Sequence, residues 1–282
     1  MASTEKRAQC PFDFYALPVQ RAAFFDLDKT ILATSSSLAF SKPLYEQGLI
    51  KRADVVRNAY RQFIFTIAGA SHEQTERMRE HLSALVTGWD VKELEVLIKD
   101  SLDGSITPLV HAEVVDLIKQ HKANGDKVVI VSASGNEIVK PVSAMIEADD
   151  FIATELEIFH GKYTGAITFY AYGENKAIAI QKYAKEHNID LAKSFAYSDS
   201  ITDLPMLEVV GHPIVVNPDA ALNEVAAERS WPVIRCEKPV ALKKPLLDYP
   251  EQRKKAFITA AAVFTFFAWM LSRRKKQKRD SV

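Results

Sequence analysis

The chain has 282 residues, of which 48% are hydrophobic and 26% are charged, and its acidic and basic residues cancel to a formal net charge of zero. This balance is typical of a globular protein, and it excludes nucleic-acid binding over the whole surface, which needs a basic excess. The length suits one large domain or two smaller ones. Cys10 and Cys236 lie far apart and fit no metal or redox spacing, so we expect an intracellular, reducing compartment.

The first predicted strand ends in two carboxylates that are one residue apart. Residues 22–25 form a short apolar run followed by polar residues, a pattern typical of a buried strand. Side chains alternate along a strand, so Asp26 and Asp28 share a face if the extended conformation continues, whereas Lys29 points away from them. Two anions this close need a bound cation or a shared proton. The pair therefore indicates an active site.

A long helical segment is predicted next. Residues 34–37 are polar and suit a loop or a helix N-cap. From residue 38 to about 101, apolar residues recur at spacings near 3.6, which predicts a small helical subdomain. Arg57 and Arg61 lie four apart on one helix face and could bind an anionic group of a substrate, although a solvated helix face is the alternative.

Strand–helix alternation follows this segment. We predict strands at 127–131, 151–154, 194–197 and 213–216, a β-excursion over 155–172 that turns at 160–162, and helices at 108–123, 136–147 and 174–187. The alternation predicts an α/β fold, a Rossmann-like parallel sheet with helices on both faces. In such sheets ligands bind beyond the carboxyl ends of the strands, which brings Ser132, Lys176, Asp199 and Asp203 to the aspartate pair.

The last predicted element is a C-terminal hydrophobic helix at 255–272. The 16 residues 256–271 carry no charge and lie between basic clusters at 253–255 and 273–276. Such a helix is about 24 Å long, shorter than the roughly 30 Å hydrocarbon core, but flanking lysines and arginines can extend its reach. We predict that it spans the membrane or lies on it, with the catalytic domain in the cytoplasm; a buried terminal helix is the alternative.

Four motifs at the predicted strand and helix ends resemble those of the haloacid dehalogenase superfamily. They are Asp26-Leu27-Asp28-Lys29-Thr30, Ser132 within 131–135, Lys176 within 173–176, and Asp199 with Asp203 within 197–203. Their order and positions are similar to those of the subfamily IB phosphatases related to phosphoserine phosphatase. The resemblance covers roughly residues 20–235.

The resemblance implies a Mg²⁺-dependent phosphomonoester hydrolase. Asp26 would be the nucleophile that forms an aspartyl-phosphate, and Asp28 the general acid and base, which divides a difficult hydrolysis into two steps. The magnesium ligands would be Asp26, the backbone carbonyl of Asp28 and Asp199, with Asp203 in support. The phosphate-binding residues would be Thr30, Ser132 and Lys176.

The predicted elements and the resemblance together give a domain organisation. It comprises an N-terminal extension (1–20), a catalytic core (21–35 and 105–235), a helical cap (36–104), a linker (236–254), the membrane helix (255–272) and a basic tail (273–282). In this family the cap closes over the site and selects the substrate.

The expected partner is a phosphorylated small molecule or a lipid phosphate, and no nucleic acid. The phosphoserine enzymes that the chain resembles carry an acidic residue shortly after the first motif, but residues 34–37 contain none. Together with the C-terminal helix, this favours a lipid-linked or glycerol-type phosphate. A phosphoserine phosphatase is the alternative enzyme, and a non-catalytic, membrane-tethered binding module is the alternative of another class. Transfer of the phosphoryl group to an acceptor other than water stays open.

Overall fold

The computed structural model describes residues 20–50, 83–84 and 86–237. Within them, seven strands form one sheet: β1 Ala22–Phe25, β2 Lys127–Gly135, β3 Asp150–Phe159, β4 Lys162–Phe169, β5 Phe195–Ser198, β6 His212–Val216 and β7 Val233–Ile234. The order across the sheet is β4-β3-β2-β1-β5-β6-β7, and the β3–β4 pair is antiparallel whereas the others are parallel. The predicted α/β fold with a mostly parallel sheet is confirmed.

Helices connect and cover these strands. The described residues contain α1 Ser36–Ala39, α2 Ser41–Glu46, α3 Val91–Ser105, α4 Ala112–Ala123, α5 Asn136–Met145, α6 Glu174–Glu186, α7 Leu204–Glu208 and α8 Ala220–Glu228. Side-chain N-capping explains where two of these helices begin. Asp90 accepts hydrogen bonds from the first-turn amides of α3, and Asp219 accepts one from the Leu222 amide of α8.

Alternation along β1 gives the sheet a hydrophobic core on each face. Phe25 faces one core and Phe24 the other, and both side chains are fully buried. The first core includes Val114 and Ile118 of α4 and Val139 of α5; the second includes Ile180 of α6 and Met206 of α7. Because burial of each large apolar side chain contributes about 1.5–3 kcal/mol, these two layers hold the end of β1 firmly in place.

Several predicted elements have different bounds in the structure. Strand β2 was predicted to end at 131 but continues to Gly135, and β3 extends to Phe159 before the chain turns into β4. The antiparallel β3–β4 pair confirms the β-excursion and its turn. Helices α7 and α8 and strand β7 were not predicted.

Some predictions fall outside the described residues. These are the N-terminal extension up to residue 19, most of the cap with Arg57 and Arg61, and the C-terminal helix at 255–272 with its basic tail. The domain boundaries stay predictions. Within the part of the chain that the structure describes, no helix is both long and apolar enough to cross a membrane.

Candidate active site

The sheet order places three of the predicted motifs at one edge. Strand β1 lies between β2 and β5, and Phe25 is in register with Ile130 and Tyr197. The backbone N–H of Asp26 donates to the Tyr197 carbonyl at 2.9 Å, which fixes the first residue after β1. The parallel strands therefore bring Asp26, Ser132 and Asp199 together at their carboxyl ends.

The chain turns after Asp26, so the extended conformation does not continue through Asp28. Lys29 has a φ of 62°, and the amide of Ile31 donates to the Leu27 carbonyl at 3.1 Å. Asp28 still points into the site because its Oδ1 accepts a hydrogen bond from the Ser36 amide at 2.8 Å. Burial raises the pKa of Asp28, since the charged carboxylate loses its hydration.

Lys176 links two of the aspartates. Its Nζ donates to Oδ1 of Asp26 at 2.6 Å and to Oδ2 of Asp203 at 2.8 Å, and the residue is only 2% exposed. Burial alone would lower the pKa of Lys176, but Asp203 and Asp26 raise it above its ordinary value, so the ammonium stays charged. Lys176 lies near the start of α6, and Gly173, the residue just before that helix, has φ 55° and ψ −126°, a conformation that glycine favours.

Asp199 lies next to this group. Its Oδ1 accepts a hydrogen bond from the Thr30 hydroxyl at 3.4 Å, and both residues are buried. Burial, followed by the charge of Asp26, raises the pKa of Asp199, whereas the charge of Lys29 lowers it. Lys29, although predicted to point away from the aspartate pair, therefore acts electrostatically on the site.

The end of β2 supplies hydroxyl groups. The pairing of β2 with β3 shifts register between Ser132 and Gly135, as at a β-bulge. The Ser132 Oγ accepts a hydrogen bond from the Ser134 amide at 3.1 Å, and the Ser134 Oγ donates to Oδ2 of Asp28 at 3.4 Å. The Ser36 and Ser134 hydroxyls are 2.7 Å apart. The bulge thus directs the Ser134 hydroxyl towards Asp28.

The buried charges of the site suit a divalent cation. Burial raises the pKa of Asp26 to about 7; the Lys176 ammonium opposes this rise, while Asp203 and Asp28 add to it. Four aspartates (26, 28, 199 and 203) meet the charges of two lysines (29 and 176), so ionisation of all four leaves a negative excess. Carboxylate and carbonyl oxygens are the ligands that Mg²⁺ prefers, and these residues fit that ion.

Ser36 and Asp219 were not predicted as site residues, whereas Ser134 and Ser198 lie within predicted motifs but were given no role. The Ser198 hydroxyl donates to Oδ2 of Asp203 at 2.7 Å. The amide of Asp219 donates to the Asp199 carbonyl at 2.8 Å, and its carboxylate accepts from the Ile201 amide at 2.9 Å. Asp219 follows the carboxyl end of β6, so the rule that selected the other motifs could also have selected it.

Comparison with known proteins identifies the family. A family model described as haloacid dehalogenase-like hydrolase matches residues 23–208, which include all four motifs. The chain belongs to the haloacid dehalogenase-like hydrolases. The resemblance predicted from the motifs is confirmed.

Two of the proteins similar to this chain have high sequence identity to it. A Mycobacterium tuberculosis protein named "Probable phosphatase" is 50% identical over 242 residues, which cover 86% of this chain and 83% of the relative. The "Inhibition of morphological differentiation protein" of Streptomyces azureus is 43% identical over 267 residues, covering 93% and 96%. A phosphoserine phosphatase of M. tuberculosis is 29% identical over 235 residues, covering 83% and 75%.

Solved structures share the same fold. A protein of unknown function from Bordetella pertussis matches with a TM-score of 0.67 and 29% identity, covering 77% of this chain and 98% of that one. A phosphoserine phosphatase solved as its phospho-aspartyl intermediate analogue matches with a TM-score of 0.56 and 19% identity, covering 78% and 94%. The comparisons confirm the predicted enzyme class, a phosphatase.

Proposed function

We propose that this phosphatase hydrolyses phosphate monoesters through an aspartyl-phosphate on Asp26. The observation that supports this most is the buried contact of Lys176 with Asp26 and Asp203. The ammonium holds the Asp26 carboxylate in one orientation and presents positive charge where the phosphoryl oxygens of a substrate would lie. The carboxylate attacks phosphorus, and the bond from phosphorus to the ester oxygen breaks.

Asp28 acts as general acid and then as general base. Its burial favours the protonated form, which can donate a proton to the departing ester oxygen. The resulting carboxylate then takes a proton from the water that hydrolyses the aspartyl-phosphate. Hydrogen bonds from the Ser36 amide and the Ser134 hydroxyl keep the carboxyl group aimed at the same position in both steps.

Magnesium completes the proposed site. Asp26, the backbone carbonyl of Asp28 and Asp199 would hold the ion, and Asp203 would support it. When bound, Mg²⁺ neutralises charge on the phosphoryl oxygens and orients them for in-line attack. Ser132, Thr30 and Lys176 would bind or position the phosphate oxygens.

For the substrate, we propose a lipid-linked or glycerol-type phosphate. Residues 34–37 contain no acid that would recognise a substrate ammonium group, and the groups around Asp28 include the neutral hydroxyls of Ser36 and Ser134. In this proposal the cap (36–104) selects the substrate, and residues 255–272 attach the cytoplasmic catalytic domain to the membrane. Phosphoserine is the alternative substrate, supported by the 29% identical relative of that name.

The reaction is tested with purified full-length protein and a panel of phosphomonoesters in the presence of Mg²⁺. We expect Asp26→Asn to lower kcat by at least about a thousandfold, as removal of a catalytic nucleophile does in other enzymes. Asp116→Asn, on the exposed face of α4, is the matched control and keeps wild-type activity. Asp26→Asn turnover at the wild-type rate, or no phosphate release from any ester, contradicts the proposal.

The substrate class is tested separately by removal of residues 252–282. We expect the full chain to bind vesicles that contain lysophosphatidate and to hydrolyse it, whereas the truncated chain loses this activity but still hydrolyses glycerol phosphate. If both forms prefer phosphoserine, the alternative substrate is correct. If neither form binds vesicles, the membrane proposal fails while the reaction proposal stands.

A further inference from the structure

A second group of metal-ligating side chains lies outside the candidate active site. His111 immediately precedes α4, Glu113 is in its first turn, and Cys236 follows β7. One donor atom of each residue lies within 4.8 Å of the donor atoms of the other two. The set combines an imidazole nitrogen, a carboxylate oxygen and a thiol sulfur, and none of these residues belongs to the four motifs.

The imidazole of His111 is the most informative member. The residue is 4% exposed, and its Nδ1 is buried without a hydrogen-bond partner among the described residues. A buried polar atom without a hydrogen-bond partner is destabilising, so an unpaired imidazole nitrogen is unfavourable unless a ligand completes it.

The surrounding backbone holds the three side chains in place. The amide of Cys236 donates to Oδ1 of Asn217 at 3.0 Å. The amide of Glu237 donates to Oε1 of Glu113 at 3.1 Å, which leaves Oε2 of that carboxylate for another partner. The amide of His111 donates to the Ile31 carbonyl at 2.9 Å. The donor groups are therefore presented by positions that are themselves hydrogen bonded.

We propose that His111, Glu113 and Cys236 bind a zinc ion, with water as the fourth ligand. Zinc accepts nitrogen, oxygen and sulfur donors at about 2.0–2.3 Å, so donor atoms around it are about 3.5 Å apart. Atoms that already lie within 4.8 Å reach that spacing by small side-chain rotations. The thiolate and imidazole select zinc over magnesium, and binding releases the thiol proton.

The bound ion fastens the chain after β7 to the start of α4. Through the amide of His111, this position is also connected to Ile31, three residues after Asp28. Zinc at this site therefore stabilises the end of the catalytic core without taking part in phosphate chemistry. Sequence spacing did not reveal the site because Cys236 is distant in the chain from His111 and Glu113 and lies near them only in the folded protein.

The test uses Co²⁺ as a spectroscopic probe for zinc in the full-length protein. We expect a thiolate-to-cobalt charge-transfer band in the wild type and in Cys10→Ser, and none in Cys236→Ser, because only one of the two cysteines is a ligand. Zinc abolishes the band by displacing cobalt. A band that depends on Cys10, or no band at all, overturns the proposal.

Two further variants test the remaining ligands. His111→Gln and Glu113→Gln should each weaken zinc binding at least tenfold in competition with a chelating dye, since even the loss of an outer-shell partner costs about 10–100-fold. Glu113 is exposed, so its variant keeps the fold. His160→Gln is the matched control. Unchanged zinc affinity in both variants contradicts the site, and Mg²⁺-dependent phosphatase activity, measured in parallel, is expected to survive in Glu113→Gln.

Discussion

Lys176 is a buried cation between two carboxylates, so its removal affects both stability and activity. Lys176→Met leaves Asp26 and Asp203 without their buried partner, which typically costs about 3–5 kcal/mol. We expect this loss in the free energy of unfolding, measured by urea denaturation at about pH 8 without Mg²⁺, together with loss of phosphatase activity.

Lys182→Met on the same helix is the control. Its amine lies 3.9 Å from Glu186, but the side chain is 76% exposed, so water screens the pair. The free energy of unfolding should change by less than about 0.5 kcal/mol. Equal decreases in the free energy of unfolding for the two variants would show that Lys176 acts only as a packing residue of α6.

The sequence predicted which motif residues lie together at the candidate site, but not the residues that reach it only through the fold. Asp26 and Asp199 follow buried strands and were found from that pattern. Ser36 was not found, because its amide reaches Asp28 only through the turn at Lys29, which strand alternation does not predict. Asp219 serves as an N-cap as well as a support for the site, and N-caps are common.

At the scale of elements, sequence periodicity predicted the buried strands and the long helices. Their apolar runs are explained by burial alone, as with β1, whose four residues are all buried. Strand β7 has two residues and exists because it pairs with β6, and α7 has five. Elements this short carry little periodic signal, so their formation depends on tertiary contacts that a local pattern does not contain.

The start of β6 gives a prediction at this scale. A Cβ added at Gly211 would clash with the Ala192 carbonyl oxygen, which is backbone and cannot rotate away. The Gly211 amide also donates to the Leu191 carbonyl at 2.8 Å, so the two segments are held close. We expect Gly211→Ala to lower the free energy of unfolding by more than about 2 kcal/mol.

Gly104→Ala is the matched substitution. Gly104 lies within α3, and a Cβ there meets no atom within 4 Å. Alanine should stabilise the helix by about 0.5–1 kcal/mol, because it loses less backbone entropy on folding. Opposite signs for the two substitutions in urea denaturation are the expected result, and a neutral Gly211→Ala contradicts the close approach.

At the scale of the whole molecule, the candidate active site joins residues that lie far apart in the chain. Asp26, Ser132, Lys176 and Asp199 come from four different segments, and the central position of β1 brings them together. The two cores on either side of the sheet fix the strand ends, so the carboxylates cannot separate to relieve their repulsion. The fold thus holds like charges close together and buried.

This arrangement predicts how stability depends on pH. Burial raises the pKa of Asp26 from 3.8 to about 7, and the pKa values of Asp28 and Asp199 are also raised. At pH values between the ordinary and the raised pKa of these carboxyl groups, the folded protein binds more protons than the unfolded chain, so the free energy of unfolding falls as pH rises. Lys176 adds no slope in this range, because its raised pKa leaves it charged in both states.

The prediction is measured by urea denaturation in a chelator between about pH 5 and pH 8. The raised pKa of Asp26 alone should lower the free energy of unfolding by the order of a few kcal/mol over that range, because a pKa difference of one between the folded and unfolded states is worth about 1.4 kcal/mol. Mg²⁺ opposes the loss because it binds the ionised carboxylates, and at a hundred times its Kd it contributes about 2.7 kcal/mol. The stabilisation by Mg²⁺ should therefore be larger at about pH 8 than at about pH 5.

Asp26→Asn should flatten the dependence of the free energy of unfolding on pH, since the amide cannot ionise. A metal-free protein that becomes more stable as pH rises through this range would show that the aspartates are not buried as like charges.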